Sequence, residues 1–526
     1  MKRNFEKLRE GPFDLLVIGG GIYGAWVAYE GALRGLKTAL VEKKDWASGT
    51  SSASSKLIHG GLRYLEHYWL DLVKKSLGER RRLLSLGPHR VSTVRFLLPL
   101  YQGSGFGRIS LGIGLSLYDR MGGTCSKISP HRFHSREEML KIAPYLSPEN
   151  LTGGFSYTDC ETDDSRFTLE IVSGAVQAGA MATNYAKAVE LVLSGNKVMG
   201  AVMEDLETGD RVELLASVTV NAAGPWAWNL AGMDNKFKDK VRLFKGVHLV
   251  MPPLPGGDAV LLTAPSDGRV FFLIPWQGAT LIGTTDTDFQ GDPDHVEVDA
   301  SDEEYLLNAA NNFLQGVEWS PSHVRGRFAG LRVLQNRPGK KPSDVTRDWE
   351  LSEPRERLLV SLGGKMTSAR LEAAATLQRV EGLLGKKSKG RSPTETLPLP
   401  WFPEDMNALE EMGKRAGLDP ETALWCVRRY GSTTSNLMDL IHESPGLAER
   451  IEPNFPFCKG EIVHAVKNEM ARTLEDILRR RISLCILTKM EKETVRMAAD
   501  LAGEILGWDE ARREREVRSV LDGGAE

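Results

Sequence analysis

Residues 13–18 (FDLLVI) form a short, mostly apolar run that meets a glycine cluster, a pattern suited to a buried parallel strand. Residues 25–34 then carry helix-forming side chains with one apolar face, and Gly35 supplies a stop. Residues 37–41 (KTALV) predict a second strand that ends at Glu42. Strand, helix and strand make one βαβ unit. Helical patterns return at 71–86, 164–178 and 367–384, and strand patterns at 214–220, 247–251, 270–274, 280–282 and 358–361. Residues near 90–160 mix short strands with glycine-rich turns.

The pattern changes after residue 384. The stretch 385–400 (GKKSKGRSPTETLPLP) is basic, turn-rich and broken by proline, and predicts a linker over 385–402. Beyond it strand signals vanish. Residues 403–526 predict a separate helical domain, with helices over 468–484 and 492–506 among others.

Composition narrows the class. At 526 residues with 41% hydrophobic and 26% charged positions, the chain excludes collagen-like, disordered and small disulfide-stapled folds. Lys and Arg number 67 against 70 Asp and Glu, so the formal charge is −3, and no bulk attraction to nucleic acid is expected. The five cysteines are widely spaced without a CxxC pair, which predicts reduced thiols in an intracellular setting and neither a disulfide framework nor a metal centre. The polar first eleven residues lack the apolar region of a secretory signal.

The first candidate chemistry lies in the βαβ unit. Gly19-x-Gly21-x-x-Gly24 joins the strand to the helix. In such a turn Gly19 permits the tight bend, Gly21 lets backbone approach a pyrophosphate, and Gly24 lets helix pack on strand. The pyrophosphate belongs at the helix N-terminus, where N–H groups and the dipole attract it, and Glu42 suits ribose hydroxyls. This predicts dinucleotide binding without choosing between FAD and NAD. The second motif runs from Thr50 to His67, TSSASSKLIHGGLRYLEH. Its hydroxyls suit a phosphate or ring-system path and Gly60 and Gly61 allow close backbone approach; a plain polar loop is the competing reading.

With these strings together the chain resembles the FAD-dependent glycerol-3-phosphate dehydrogenases. The likeness continues through Tyr157-Thr158-Asp159-Cys160, Asn221-Ala222-Ala223-Gly224-Pro225-Trp226, Lys245-Gly246-Val247-His248, Gly283-Thr284-Thr285-Asp286, Gly330-Leu331-Arg332, Thr346-Arg347-Asp348 and Gly363-Gly364-Lys365-Met366-Thr367. It implies a fold like D-amino-acid oxidase. In that fold a Rossmann-like α/β FAD-binding domain (segments near 12–90, 150–240 and 355–384) interleaves with an antiparallel-sheet substrate domain, and an all-helical C-terminal domain follows. It also implies FAD, sn-glycerol 3-phosphate as substrate, dihydroxyacetone phosphate as product, and a respiratory quinone as a common acceptor. The cofactor-facing positions it implies are Gly19, Gly21, Gly24, Glu42, Thr50, Ser51, Ser52, Ser55, Leu57, His59, Gly60, Gly61, Gly224, Gly363, Gly364, Lys365, Met366 and Thr367.

The resemblance also implies a catalytic set. Arg63 and Arg332 offer planar donor forks for a phosphate. Lys365 is expected to stabilise developing negative charge. His248, expected at a strand start, is the best available proton acceptor, and His59 is a competing one. Tyr64 is expected to donate to substrate or to pack. The chain departs from the family pattern at Val333, where proline is usual, at 336–341 (NRPGKK), and at the helix start 365–370 (KMTSAR), where Thr-Thr-Tyr-Arg often follows Lys-Leu. An oxygen-using oxidase, an amine or amino-acid oxidase of the same fold, and a flavin-bearing interaction protein stand as alternatives.

The segment 109–118 (ISLGIGLSLY) has two readings, a core helix or an apolar face lying on a bilayer surface. The second implies a cytoplasmic protein held peripherally on the inner face of the membrane. The helical tail could serve a homodimer, bind a partner or cap the fold.

Overall fold

The computed structural model describes all residues except 66–67, 104–106, 234–240, 337–347, 388–389 and 524–526. Two sheets share the first three-quarters of the chain. The eight-stranded sheet is built on β1 (Phe13–Ile18) and β2 (Thr38–Val41), joined by the helix α1 (Ile22–Leu33). Leu15, Leu16 and Val17 are wholly buried, as the apolar run requires. Its parallel core runs Leu358–Leu362, Arg211–Asn221, β1, β2, Met181–Thr183. Strands far apart in sequence are thus neighbours. Helices Asp164–Gln177 and Ala369–Leu383 pack against α1.

The second sheet has ten strands and is antiparallel save for one parallel pair, Ala259–Thr263 with Val91–Tyr101. Val241–Met251 pairs with Ala279–Gly283 on one side and Gly326–Gln335 on the other. Leu151–Thr162, expected in a cofactor-binding segment, pairs instead with Val91–Tyr101 in this sheet. The chain returns to the first sheet only with the helix Asp164–Gln177. The two-residue strand Leu57–Ile58 also joins the second sheet, so the loop after β2 crosses from one layer to the other.

From Met406 the named elements are helical, and Lys492–Leu506 matches its expected bounds. The single helix expected over 468–484 is not formed. A helix ends at Asn468, Met470 takes φ +59°, and a π-helical turn spans Asp476–Arg481. Asp476 Oδ2 accepts from the backbone N–H groups of Arg472 and Thr473, an alternative to helix continuation. Buried ion pairs on both sides of the break override local propensity.

One of those pairs fastens the helical region to the first sheet. Arg166 grips both oxygens of Glu469 at 2.8 and 2.9 Å, and neither side chain is more than 2% exposed. Arg166 also donates to the Arg429 carbonyl. Its charge holds Glu469 well below the usual carboxylate range, against the opposing effect of burial. Glu469→Ala would strand the guanidinium without its partner. The expected cost is about 3–5 kcal/mol, read as a lower urea midpoint with an unchanged slope.

Candidate active site

The glycine turn between β1 and α1 is shaped by contacts that leave no room for side chains. A Cβ on Gly24 would lie 1.8 Å from the Gly19 carbonyl oxygen, so α1 could not sit on β1 with any larger residue there. Gly19 has φ +109°, and its other side touches Ala222 and Ala223. Gly224 heads the turn that follows. At Gly21, where α1 begins, a Cβ would meet the Ser51 side chain, with its Oγ nearest at 3.0 Å. Ser51 Oγ accepts from the Ile22 N–H at 2.9 Å, marking the point where an anion would meet α1's first amides.

Glu42 closes the cradle. Its Oε2 accepts from the Gly20 N–H at 2.6 Å and its Oε1 from the Lys44 N–H at 2.9 Å. Burial pushes its pKa up, and the two N–H donors pull it back. Backbone amides at a helix start, a glycine surface and a fixed acid at the end of the next strand fit FAD's pyrophosphate and ribose.

The loop after Glu42 carries the next expected residues. Thr50 Oγ1 donates to the Leu331 carbonyl (2.6 Å) in the second sheet, and Ser52 Oγ to the Gly49 carbonyl (3.3 Å). Ser55 Oγ and His248 Nε2 lie 2.9 Å apart. Leu57 is buried in its short strand. The His59 N–H donates to Thr367 Oγ1 (3.1 Å), and the Gly60 N–H to Asp159 Oδ1 (3.4 Å). Gly61, with φ +76°, faces the Tyr64 ring so closely that a Cβ would meet it at 2.3 Å. Lys365 Nζ also sits over that ring, 3.7 Å from its centroid.

Between these residues lies Lys56, 1% exposed and at φ +56°. Its Nζ pairs with Asp164 Oδ1 at 2.6 Å, donates to the Ser52 carbonyl at 3.2 Å and lies over the Trp276 and Phe328 rings. Asp164 Oδ2 accepts from both the amide and the hydroxyl of Ser54. This knot fixes the chain on either side of it, with Ser55 toward His248 and, three residues on, His59 toward Thr367.

On the substrate side, three bonds to described residues hold Arg332. Its Nη1 donates to the Thr285 carbonyl (3.1 Å) and Asp286 Oδ1 (3.0 Å), and its Nη2 to Thr284 Oγ1 (2.9 Å). Thr284 and Asp286 line a cleft with His59, Arg63, Tyr64 and Arg269. Arg63 and Tyr64 therefore share a cleft with two of the groups that hold Arg332. His248 stands behind them. The strand begins at Val241, so His248 lies toward its far end rather than at its start. It is 1% exposed and stacks on Phe328 at 4.9 Å. Its pKa is pushed well below the ordinary imidazole value by burial, with Arg332 and Lys56 acting in the same direction. The ring is neutral at pH 7, and its Nδ1 is buried with no hydrogen-bond partner among the described residues.

The remaining expected residues form the turn before Ala369–Leu383. Gly363 and Gly364 both have positive φ, and Met366 and Thr367 lie in a single 3-10 turn. Tyr23, inside the glycine motif, hydrogen-bonds Glu372 and reaches the Lys365 carbonyl at 3.4 Å. A Cβ on Gly364 would overlap the Tyr23 hydroxyl. Burial pushes the Glu372 carboxyl up to about 7.

Of the family departures, Val333 continues its strand opposite Leu243, and Ala369 opens the helix whose next residue, Arg370, makes a buried two-point pair with Glu79. Most of 336–341 lies outside the described residues, as do Arg347 and Thr346. The sequence reading missed Lys56, Asp164, Tyr23 and Glu372 as supports of the site. The signal for Lys56 was a lone cation inside a run of small hydroxyl residues. Tyr23 and Glu372 gave none, because their pairing joins the two ends of the domain.

Fold and cradle together define an FAD-dependent oxidoreductase: the family described as FAD dependent oxidoreductase matches residues 14–360. Residues 392–513 match the C-terminal domain of alpha-glycerophosphate oxidase. The chain is 35% identical to a glycerol-3-phosphate dehydrogenase of Synechocystis, over 92% of this chain and 91% of that one. It is 34% identical to the aerobic glycerol-3-phosphate dehydrogenase of Staphylococcus aureus, over 90% and 87%. The crystal structure of a Bacillus halodurans glycerol-3-phosphate dehydrogenase complexed with FAD superposes with a TM-score of 0.79 at 28% identity, covering 98% of this chain and 95% of that chain. The chain belongs to the FAD-dependent glycerol-3-phosphate dehydrogenase family.

Gly21→Val would fill the cradle between α1 and Ser51. The variant is expected to purify without the flavin absorbance of the parent while keeping its far-ultraviolet circular dichroism.

Proposed function

We propose that the cleft oxidises sn-glycerol 3-phosphate at C2 to dihydroxyacetone phosphate, with Arg63, Arg332, His248, Lys365 and Tyr64 as its working residues. The observation that carries this reading is the meeting of Arg63 and Tyr64 with Thr284 and Asp286, the groups that hold Arg332, beside a neutral buried imidazole. Arg63 and Arg332 bind the substrate's phosphate end and fix its orientation. FAD, when bound, supplies the hydride acceptor. His248 takes the C2 hydroxyl proton. If its Nε2 donates to Ser55, the Nδ1 lone pair faces no competing donor among the described residues. The incoming phosphate dianion offsets the charge of Arg332, one of the groups that depress His248, and so raises its proton affinity when substrate is present. Lys365 stabilises negative charge as it develops, its position set by the Tyr64 ring.

We also infer that electrons leave toward a lipid-soluble quinone at a membrane surface. Among the described residues no helix is long and apolar enough to cross a membrane. The helix Arg108–Gly122, however, turns Ile109, Ile113 and Leu117 outward, at 79%, 67% and 39% exposure. Spaced four apart, they share one face. Exposed Tyr68 and Leu70 stand where the helix Leu70–Leu86 begins, and that helix packs beside it. Exposed Lys74, Lys75 and Arg120 edge the patch. An apolar ridge with a basic margin suits an anionic lipid surface. Its inner face reaches the cleft wall: Tyr118 donates to Asp159 Oδ2 at 2.8 Å.

Anaerobic addition of sn-glycerol 3-phosphate is expected to bleach the oxidised flavin absorbance, while glycerol alone leaves it unchanged. In Arg332→Ala the flavin should remain bound and the bleaching rate should fall by about 100-fold. Bleaching by glycine or a D-amino acid instead would overturn the substrate assignment. For the surface, flotation with vesicles containing phosphatidylglycerol should recover the parent chain, and Ile113→Asp should weaken that binding by about tenfold. Equal recovery of both would remove this helix from the membrane contact.

A further inference from the structure

Three residues past Glu42 lies a carboxylate that the reaction does not use. Asp45 is wholly buried. Arg481 grips both of its oxygens, Nη1 to Oδ2 at 2.7 Å and Nη2 to Oδ1 at 2.8 Å. Arg480 Nε donates to Oδ2 at 2.7 Å, and Asn184 Nδ2 adds a long contact to Oδ1 at 3.4 Å. Both arginines stand on the π-helical turn Asp476–Arg481. That turn is built to aim them. Arg481 Nη2 also donates to the Glu469 carbonyl, and Arg480 bonds Asp476 and Glu475. Burial alone would raise the Asp45 pKa, but the two guanidinium groups outweigh it and hold the carboxyl below its usual range.

Asp45 leads directly to the dinucleotide turn. The next residue, Trp46, is 1% exposed and covers Gly20 so closely that a Cβ there would lie 2.5 Å from its ring. The Ala47 N–H, at a residue with φ +62°, donates to the Gly20 carbonyl at 3.1 Å. Gly20 in turn donates its N–H to Glu42. The segment 42–47 thus wraps the middle of the glycine motif, with its buried acid held by two cations from the helical region.

We propose that Arg480 and Arg481 are positioning residues for FAD: by clamping Asp45 they fix the 42–47 segment around the glycine turn, so that the helical region sets cofactor affinity without touching the cofactor. The proposal rests on FAD occupying that turn. Coupling of this kind is reciprocal. If the clamp favours the FAD-binding shape of the loop, bound FAD must steady the clamp.

The test uses the full chain, stripped of flavin and titrated with FAD while flavin fluorescence is followed. Asp45→Asn is expected to raise the Kd for FAD by about tenfold or more, and Arg481→Lys by a smaller factor. At saturating FAD, the KM for sn-glycerol 3-phosphate should stay within about twofold of the parent, because neither residue lines the cleft. A mere fastener between regions predicts otherwise: the melting temperature of the stripped protein would fall while the Kd for FAD stayed unchanged, and that result overturns the proposal. Hydrogen exchange on the unsubstituted chain gives a second reading that needs no variant. Adding FAD should slow exchange in peptides covering 476–487 as well as in those covering the glycine turn. Protection confined to the glycine turn would also overturn the clamp. Failure of the parent chain to bind FAD at all would instead defeat the cofactor assignment, and the proposal with it.

Discussion

The organisation of the site depends on one buried ammonium group. Lys56 lies where the loop leaving the first sheet enters the second, and its charge has no access to water. A buried cation without its counter-ion is strongly destabilising, so Asp164 and the Ser52 carbonyl must stay where they are for the loop to fold. Asp164 opens a helix packed on α1, and the same carboxylate captures Ser54. The result is a loop locked at its centre. Its upstream half faces the phosphate cradle and its downstream half faces the substrate cleft. A serine-rich segment with no regular structure thereby gains the rigidity that a reactive site needs.

Local charge, not net charge, describes the molecule. The chain carries a formal charge of −3, yet Arg63, Arg269, Arg332, Lys56 and Lys365 gather around the cleft and its back wall. Three of them are held by a specific group: Lys56 by Asp164, Arg332 by Asp286, Lys365 over Tyr64. Fixing the donors in advance removes their reorganisation from the cost of binding an anion. Burial keeps His248 neutral before substrate arrives, and the positive charge of Arg332 and Lys56 acts in the same direction.

The parts legible in the sequence were those where local pattern and tertiary need agree. β1, the glycine turn, α1 and β2 could be read from period and composition, because a parallel strand is buried on both faces and a phosphate turn needs glycine. The helix Lys492–Leu506 was equally plain from its apolar stripe. What stayed hidden was decided by long-range partners. Nothing near residue 476 announces a π-helical turn; it exists because Arg480 and Arg481 meet an aspartate from the other end of the chain. His248 was recognised, but its strand reaches back to Val241 because Gly326–Gln335 pairs along its length. The partnership of Tyr23 with Glu372 joins residues 349 positions apart, beyond any local pattern.

The strand order of the first sheet has a consequence for synthesis. β1 leaves the ribosome long before its neighbour Arg211–Asn221, and the next strand in line is Leu358–Leu362. At about 5–20 residues per second, roughly 20–70 s separate β1 from the strand that completes the parallel core. Through that interval the apolar faces of α1 and β2 have no finished layer to cover them. The glycine turn is translated long before Lys365 of the same site. The nascent chain thus has to be kept from sticking to its neighbours until the cradle closes, a demand on the cell's chaperones that is written into the order of the strands.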